Sequence, residues 1–253
     1  LLDAERWVYS ANDVIAKNHY FGGIHKARRW NTRINKGDHF QSRSVLFKPR
    51  ALPVNMKHIA GHPHMITEST WVNPNQYKSE GTFLTAAYMS LTGLDGHVWF
   101  ASGSGYDNVM KRWGKWSVGY PMIAGMFPGT SLMYRNGYVK ESEPAVHEQR
   151  KLSDILERKK PLICEDSGFD VVRDSGSAEK DTEKLNIDPL AFLAGRVETV
   201  INGDPSKSTA MDLSKYIDHE KKTIRSVTDE IFFDYGNGTC IVDTPCAQGI
   251  SSF

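Results

Sequence analysis

The spacing of hydrophobic positions changes several times along this chain, and each change marks an element. Leu1 to Tyr9 carries helical spacing from its first residue. Asp13 to Phe21 is a compact apolar run that reads as a buried strand, broken by Gly22 and Gly23. Leu52 to Ala60 predicts a short helix. Met65, Ile66 and Thr67 form a β-branched run that ends at Glu68. Phe83, Leu84, Ala87, Tyr88 and Leu91 then fall at helical spacing, and Gly93 is placed to stop that helix. His97 to Ala101 is the next strand, so Gly61 to Ala101 reads strand, loop, helix, strand.

Beyond it, Val109 to Tyr134 predicts broken helices, interrupted by Pro121 and Pro128. Short strand-like pieces follow at Gly137–Val139, Ala145–His147 and Pro161–Ile163. Ile231–Tyr235 and Thr239–Val242 flank Gly236-Asn237-Gly238, a strong hairpin signal. The expected fold class is α/β: a piece of a (β/α)8 TIM barrel over residues 1–135, then a β-rich, sandwich-like domain over 136–253. The chain opens inside an element and stops soon after a strand, so both domains are expected to be truncated. The irregular, basic stretch from Ile24 to Pro49 is too long for a bare connection and is expected to lie over a barrel mouth.

Composition narrows the partners. With 40% hydrophobic and 24% charged residues and a net charge of +1, the chain has no electrostatic bias toward nucleic acid or an acidic membrane surface. No apolar run approaches the ~20 residues of a membrane span. Three cysteines, Cys164, Cys240 and Cys246, have no metal-ligand spacing and make no disulfide framework. No cofactor motif is present.

Chemistry is expected where strands end. A carboxylate at the carboxyl end of one strand, with aromatic or polar residues ending its neighbours, is how barrel enzymes assemble a site. Here those ends are His19 and Tyr20, then Glu68, then Trp99. A metal reading of His58, His62, His64 and Glu68 competes, because His62 and His64 would share a face of an extended segment. No known ligand spacing supports it, and His58 lies in a different element. Glu165, Asp166, Asp170 and Asp174 form an acidic loop that reads as a solvated turn rather than a calcium site. Asn237-Gly-Thr239 matches a glycosylation sequon but sits in a tight turn.

The runs His64-Met-Ile-Thr-Glu68, Trp71-Val-Asn-Pro and Asp95-Gly-His-Val-Trp99-Phe-Ala resemble the last strands of clan A retaining glycoside hydrolases, such as cellulases, β-galactosidases and agarases. Ser226-Val-Thr-Asp-Glu230-Ile through Asp243-Thr-Pro resembles part of a β-sandwich appended to such barrels. The resemblance implies that strands six, seven and eight are Asp13–Phe21, Met65–Glu68 and Asp95–Ala101. It implies Glu68 as nucleophile, Tyr20 as the phenol that orients it and Trp99 as an aromatic sugar platform. Trp71 by its position, and His19 at the neighbouring strand end, are expected as further carbohydrate contacts. In that family the acid/base is a glutamate preceded by asparagine, and no Asn-Glu dipeptide occurs in this sequence. The chain alone is therefore expected to lack turnover; the sequence leaves its location open, a secreted or periplasmic intact parent being compatible with the resemblance. The alternatives are a carbohydrate-binding protein of the same fold and a metal-dependent hydrolase using His62, His64 and Glu68.

Overall fold

The computed structural model describes residues 2–22, 24–26, 36–102, 115–165 and 186–253. Three parallel strands, Ile15–Asn18, His64–Ser69 and Gly96–Trp99, lie side by side in that order. Parallel neighbours need a crossover. Between the second and third strands it is the helix Ser79–Thr92, which ends at Gly93 with φ +69°. The Leu94 N–H reaches back to the Met89 carbonyl, closing the helix as the glycine predicts. The three-stranded sheet is open at both edges among the described residues.

The helix Ser79–Thr92 is buried along its whole length except Ser79. Its small polar residues enter the interior by bonding their own backbone. The Ser90 hydroxyl donates to the Ala86 carbonyl at 3.1 Å and Thr92 to Tyr88 at 2.7 Å. One side meets the helix Phe127–Arg135, and another meets a five-stranded antiparallel meander over residues 217–252. Across that meander Ile217, Ile224, Phe233 and Cys240 stand in register and are all buried. The Phe233 ring lies 6.2 Å from Tyr88 of the helix. One apolar cluster therefore joins residues from both sides of the expected boundary at 135/136.

A second sheet also crosses that boundary. His58–Ile59 pairs in parallel with Arg196–Ile201, which pairs in parallel with Pro144–Arg150, and Thr209–Ala210 closes the other edge. The residues after 136 are β-rich as expected, but the meander's apolar face is covered by the helix Ser79–Thr92. The two parts share a sheet and a core.

Three sequence expectations change. Neither Gly137–Val139 nor Pro161–Ile163 forms a strand. Leu52–Ala60 is not a helix: a 3₁₀ turn at Pro49–Ala51 leads into an extended run that ends in the His58–Ile59 strand. Three side chains occupy the carbonyls that a helix would have used. His19 Nδ1 donates to the Pro53 carbonyl at 2.9 Å, Lys17 Nζ to Asn55 at 2.8 Å and Arg6 Nε to Lys57 at 3.1 Å. Parts of the Ile24–Pro49 stretch, of the Val109–Tyr134 region and of the acidic loop fall outside the described residues.

Candidate functional site at the strand ends

Alternation along a strand sends neighbouring side chains to opposite faces. Lys17, His19 and Phe21 are buried on the back of the sheet, whereas Asn18 is exposed and Tyr20 half-buried on the front. Glu68 is half-buried on the front and Ser69 fully buried on the back. The backbones stay paired past the regular strand: the His19 N–H meets the Glu68 carbonyl and the Phe21 N–H meets Thr70. This ladder brings the Tyr20 side chain over Glu68.

The Tyr20 hydroxyl donates to Glu68 Oε2 at 2.6 Å. Burial, then the hydrogen bond and charge of Glu68, push the phenol pKa upward, so Tyr20 keeps its proton and acts as donor. Among the described residues the Glu68 carboxylate is held by this phenol, and a carboxylate has lone pairs enough for further partners.

Rings surround the pair. Phe100 meets Tyr20 edge-on at 6.3 Å, and Trp116 lies 6.5 Å from Tyr20 and 6.3 Å from Phe100. Neither was among the residues read from the sequence. Alternation alone points to Phe100, since Trp99 pairs with the back-facing Ser69. Trp116 arrives from a separate segment, and no spacing in the chain announces it.

The remaining predicted contacts lie elsewhere. Trp99 packs on the back of the sheet against Trp71 at 6.2 Å and Phe127 at 5.5 Å. Trp71 is 0% exposed, and its indole N–H donates to Glu80 at 2.9 Å, so it has no face for a sugar. Glu80 also accepts from the Ser44 hydroxyl and the Val45 N–H, which makes it a buried anchor for the loop before it. His19 is buried on the back, donating to Pro53, and does not reach the Glu68 face.

The His62, His64 and Glu68 set does not converge. His64 and Glu68 occupy opposite ends of one strand, roughly 13 Å apart at ~3.3 Å per residue. His64 Nε2 accepts the Ile59 N–H at 2.8 Å, and its ring stacks on His58 at 4.2 Å. Among the described residues no three ligating side chains are grouped as a metal site. Glu165 of the acidic loop is ion-paired with Arg6 and Lys17, 2.9 Å from the latter. Asn237 uses its side chain inside the predicted turn, donating to Asp234 at 2.8 Å.

A cavity of about 320 Å³ opens at the amino ends of the strands, away from Glu68, lined by His58, His62, Asp95, Arg196 and Glu198 among others. Its charges are largely satisfied internally: Arg196 bridges Glu141 and Glu198, and His147 Nδ1 meets Glu198 at 2.7 Å.

The buried histidines make the fold acid-sensitive. Burial pushes His19 down to about 3, and His64 and His97 to about 4. The unfolded chain protonates these rings near pH 6.5, while the folded chain does not. Stability is therefore full above pH 6.5 and falls as pH drops from there toward 4. Burial, and then its neighbour His64, push His58 well below its ordinary value too, and four such groups permit a slope of up to ~5 kcal/mol per pH unit, since each bound proton adds ~1.36. Urea midpoints measured at pH 7.5, 6.0 and 5.0 should decline steeply, and a flat profile would count against this account.

The comparisons with known proteins identify no relative: no family profile, curated protein or solved structure matches the chain. No described helix is long and apolar enough to cross a membrane.

Proposed function

We propose that this chain carries the nucleophile of a retaining glycoside hydrolase, with Glu68 as nucleophile and Tyr20 as its positioning residue. The observation that carries the reading is the 2.6 Å hydrogen bond from the Tyr20 phenol to the Glu68 carboxylate at the carboxyl ends of adjacent parallel strands. The parallel order of the three strands and the helix Ser79–Thr92 between the second and third support the reading, although the described part of the connection between the first and second carries 3₁₀ turns and short strands instead of a helix. In such an enzyme the carboxylate attacks the anomeric carbon, and a second carboxyl group ~5–5.5 Å away protonates the departing oxygen. That second group is expected from outside the Tyr20–Glu68 pair. The substrate class is an oligo- or polysaccharide, and no cofactor enters the reaction.

The test isolates the first half-reaction. A 2,4-dinitrophenyl 2-deoxy-2-fluoroglycoside needs no acid catalyst, because dinitrophenolate leaves unaided with the bonding electron pair. A Glu68 carboxylate oxygen would then bond to the anomeric carbon and remain esterified. Incubation with the β-glucoside and β-galactoside forms should add one fluorosugar mass to the peptide containing Glu68. Labelling at another residue, or none with either sugar, would overturn nucleophile function. The missing Asn-Glu dipeptide favours one second reading, a carbohydrate-binding protein of this fold, which binds sugar without being labelled.

A further inference from the structure

We propose that the cavity at the amino ends of the parallel strands binds a small organic dication, a linear diamine whose two ammonium groups reach separate carboxylates. The site lies away from Glu68 and stands or falls independently of the glycosidase reading. Among the described residues its lining carries three carboxylates, Asp95, Glu141 and Glu198, against one guanidinium, Arg196, and no lysine. Arg196 already spans Glu141 and Glu198. Asp95 has no cationic partner among the described residues, and its Oδ2 accepts the His64 N–H at 2.8 Å. One positive charge facing three negative ones leaves a surplus of two, and a dication cancels it.

Two imidazoles complete the wall. Burial and the neighbouring His64 hold the His58 pKa well below its ordinary value, so that ring adds no positive charge at pH 7.5. His58 is 5% exposed, and its Nε2 has no hydrogen-bond partner among the described residues. His62 Nε2 meets the Ser10 carbonyl at 3.2 Å. A carbonyl only accepts, so in the neutral ring the proton sits on Nε2 and Nδ1 keeps a lone pair. That Nδ1 is also without a partner among the described residues. Buried polar atoms are normally bonded, and leaving one unpaired costs free energy. A ligand rich in N–H donors answers both the charge and the missing bonds.

The negative charge is spread rather than gathered. Asp95 precedes the strand Gly96–Trp99, Glu141 precedes Pro144–Arg150, and Glu198 lies inside Arg196–Ile201. Among the described residues no three ligating side chains are grouped to hold a metal ion, so a point charge such as Mg²⁺ does not collect them. A chain with a cation at each end does. At about 320 Å³ the cavity has room for such a molecule.

Protein-observed NMR titrations of the whole chain at low salt, with 1,4-diaminobutane, methylammonium and Mg²⁺ as probes, test the site. The diamine should bind saturably and more tightly than either of the others. Asp95→Asn and Glu198→Gln keep an oxygen for the bonds to His64 and His147, and each should weaken the diamine about twofold to fivefold. Arg196→Met removes the competing cation and should tighten it by a similar factor. Glu220→Gln, an exposed carboxylate outside the cavity, should bind as wild type. Thermal melts establish that each variant is folded. Hydrogen exchange in the wild type needs no variant, and the diamine should slow it around Asp95 and Glu198. Absence of saturable binding, or exchange unchanged at both places, overturns the proposal. So does a loss in Glu220→Gln equal to that in Asp95→Asn, or tighter binding of methylammonium or Mg²⁺ than of the diamine.

Discussion

Glu68→Gln will eliminate fluoroglycoside labelling, slowing it roughly 10⁴-fold or more, the scale on which removing a covalent nucleophile acts. The amide preserves the shape of the side chain and an oxygen for the Tyr20 hydroxyl, so the fold is left in place. What it removes is the anionic lone pair that forms the bond to carbon. Tyr20→Phe acts through geometry instead. It deletes a hydrogen bond to a charged group, worth ~1.5–3 kcal/mol, and leaves the carboxylate free to turn. Labelling at Glu68 should slow about 10- to 100-fold, at ~1.36 kcal/mol per tenfold. Intact-mass time courses on the two variants and the wild type measure both effects. Wild-type labelling by Glu68→Gln would dismiss the nucleophile, and an unaltered rate in Tyr20→Phe would demote the phenol to packing.

Glu165→Gln should be the most damaging single change to stability, costing ~3–5 kcal/mol. Its carboxylate lies among buried cations, paired with Arg6 and Lys17 and accepting the Lys57 N–H at 2.7 Å. Burial alone would raise the Glu165 pKa, but Lys17 and Arg6 hold it well below the usual carboxylate range. Among the side chains of the described residues, four cations, Arg6, Lys17, Lys57 and Arg150, meet three carboxylates, Asp3, Glu148 and Glu165, in one network. Neutralising Glu165 increases an existing excess of positive charge in a place water scarcely reaches. Lys57→Met lowers that excess instead of raising it, so it should cost less although Lys57 is 0% exposed. Guanidinium melts at pH 7.5 rank the pair, and the reverse order would mean that local packing, not charge balance, governs this region.

Much of the organisation is legible in the sequence, and the departures have separate physical causes. The strand ending at Glu68, the helix closed by Gly93 and the hairpin around Gly238 each follow from period and turn chemistry. Glu68 and Tyr20 were named as partners, and they meet. Position at a strand end alone puts His19 and Trp99 beside them, but a strand end has two faces. Period two forbids His19 from sharing a face with Tyr20, and it gives Trp99's expected place to Phe100. The position of Trp71 just after Glu68 suggests a sugar contact, yet Glu80 offers its indole a buried acceptor nine positions later. The Leu52–Ala60 helix failed for a non-local reason, since the donors that hold its carbonyls come from Arg6, Lys17 and His19. Trp116 depends on pairing between distant segments, which no local pattern encodes.

Those three donors also bear on how sharply Glu68 is aimed. Lys17 and His19 grip the extended run behind the sheet, and Tyr20 is the very next residue on the same backbone. The backbone that carries its ring is thereby anchored from behind the sheet. The entropy of bringing phenol and carboxylate together is settled when the chain folds, before any ligand arrives.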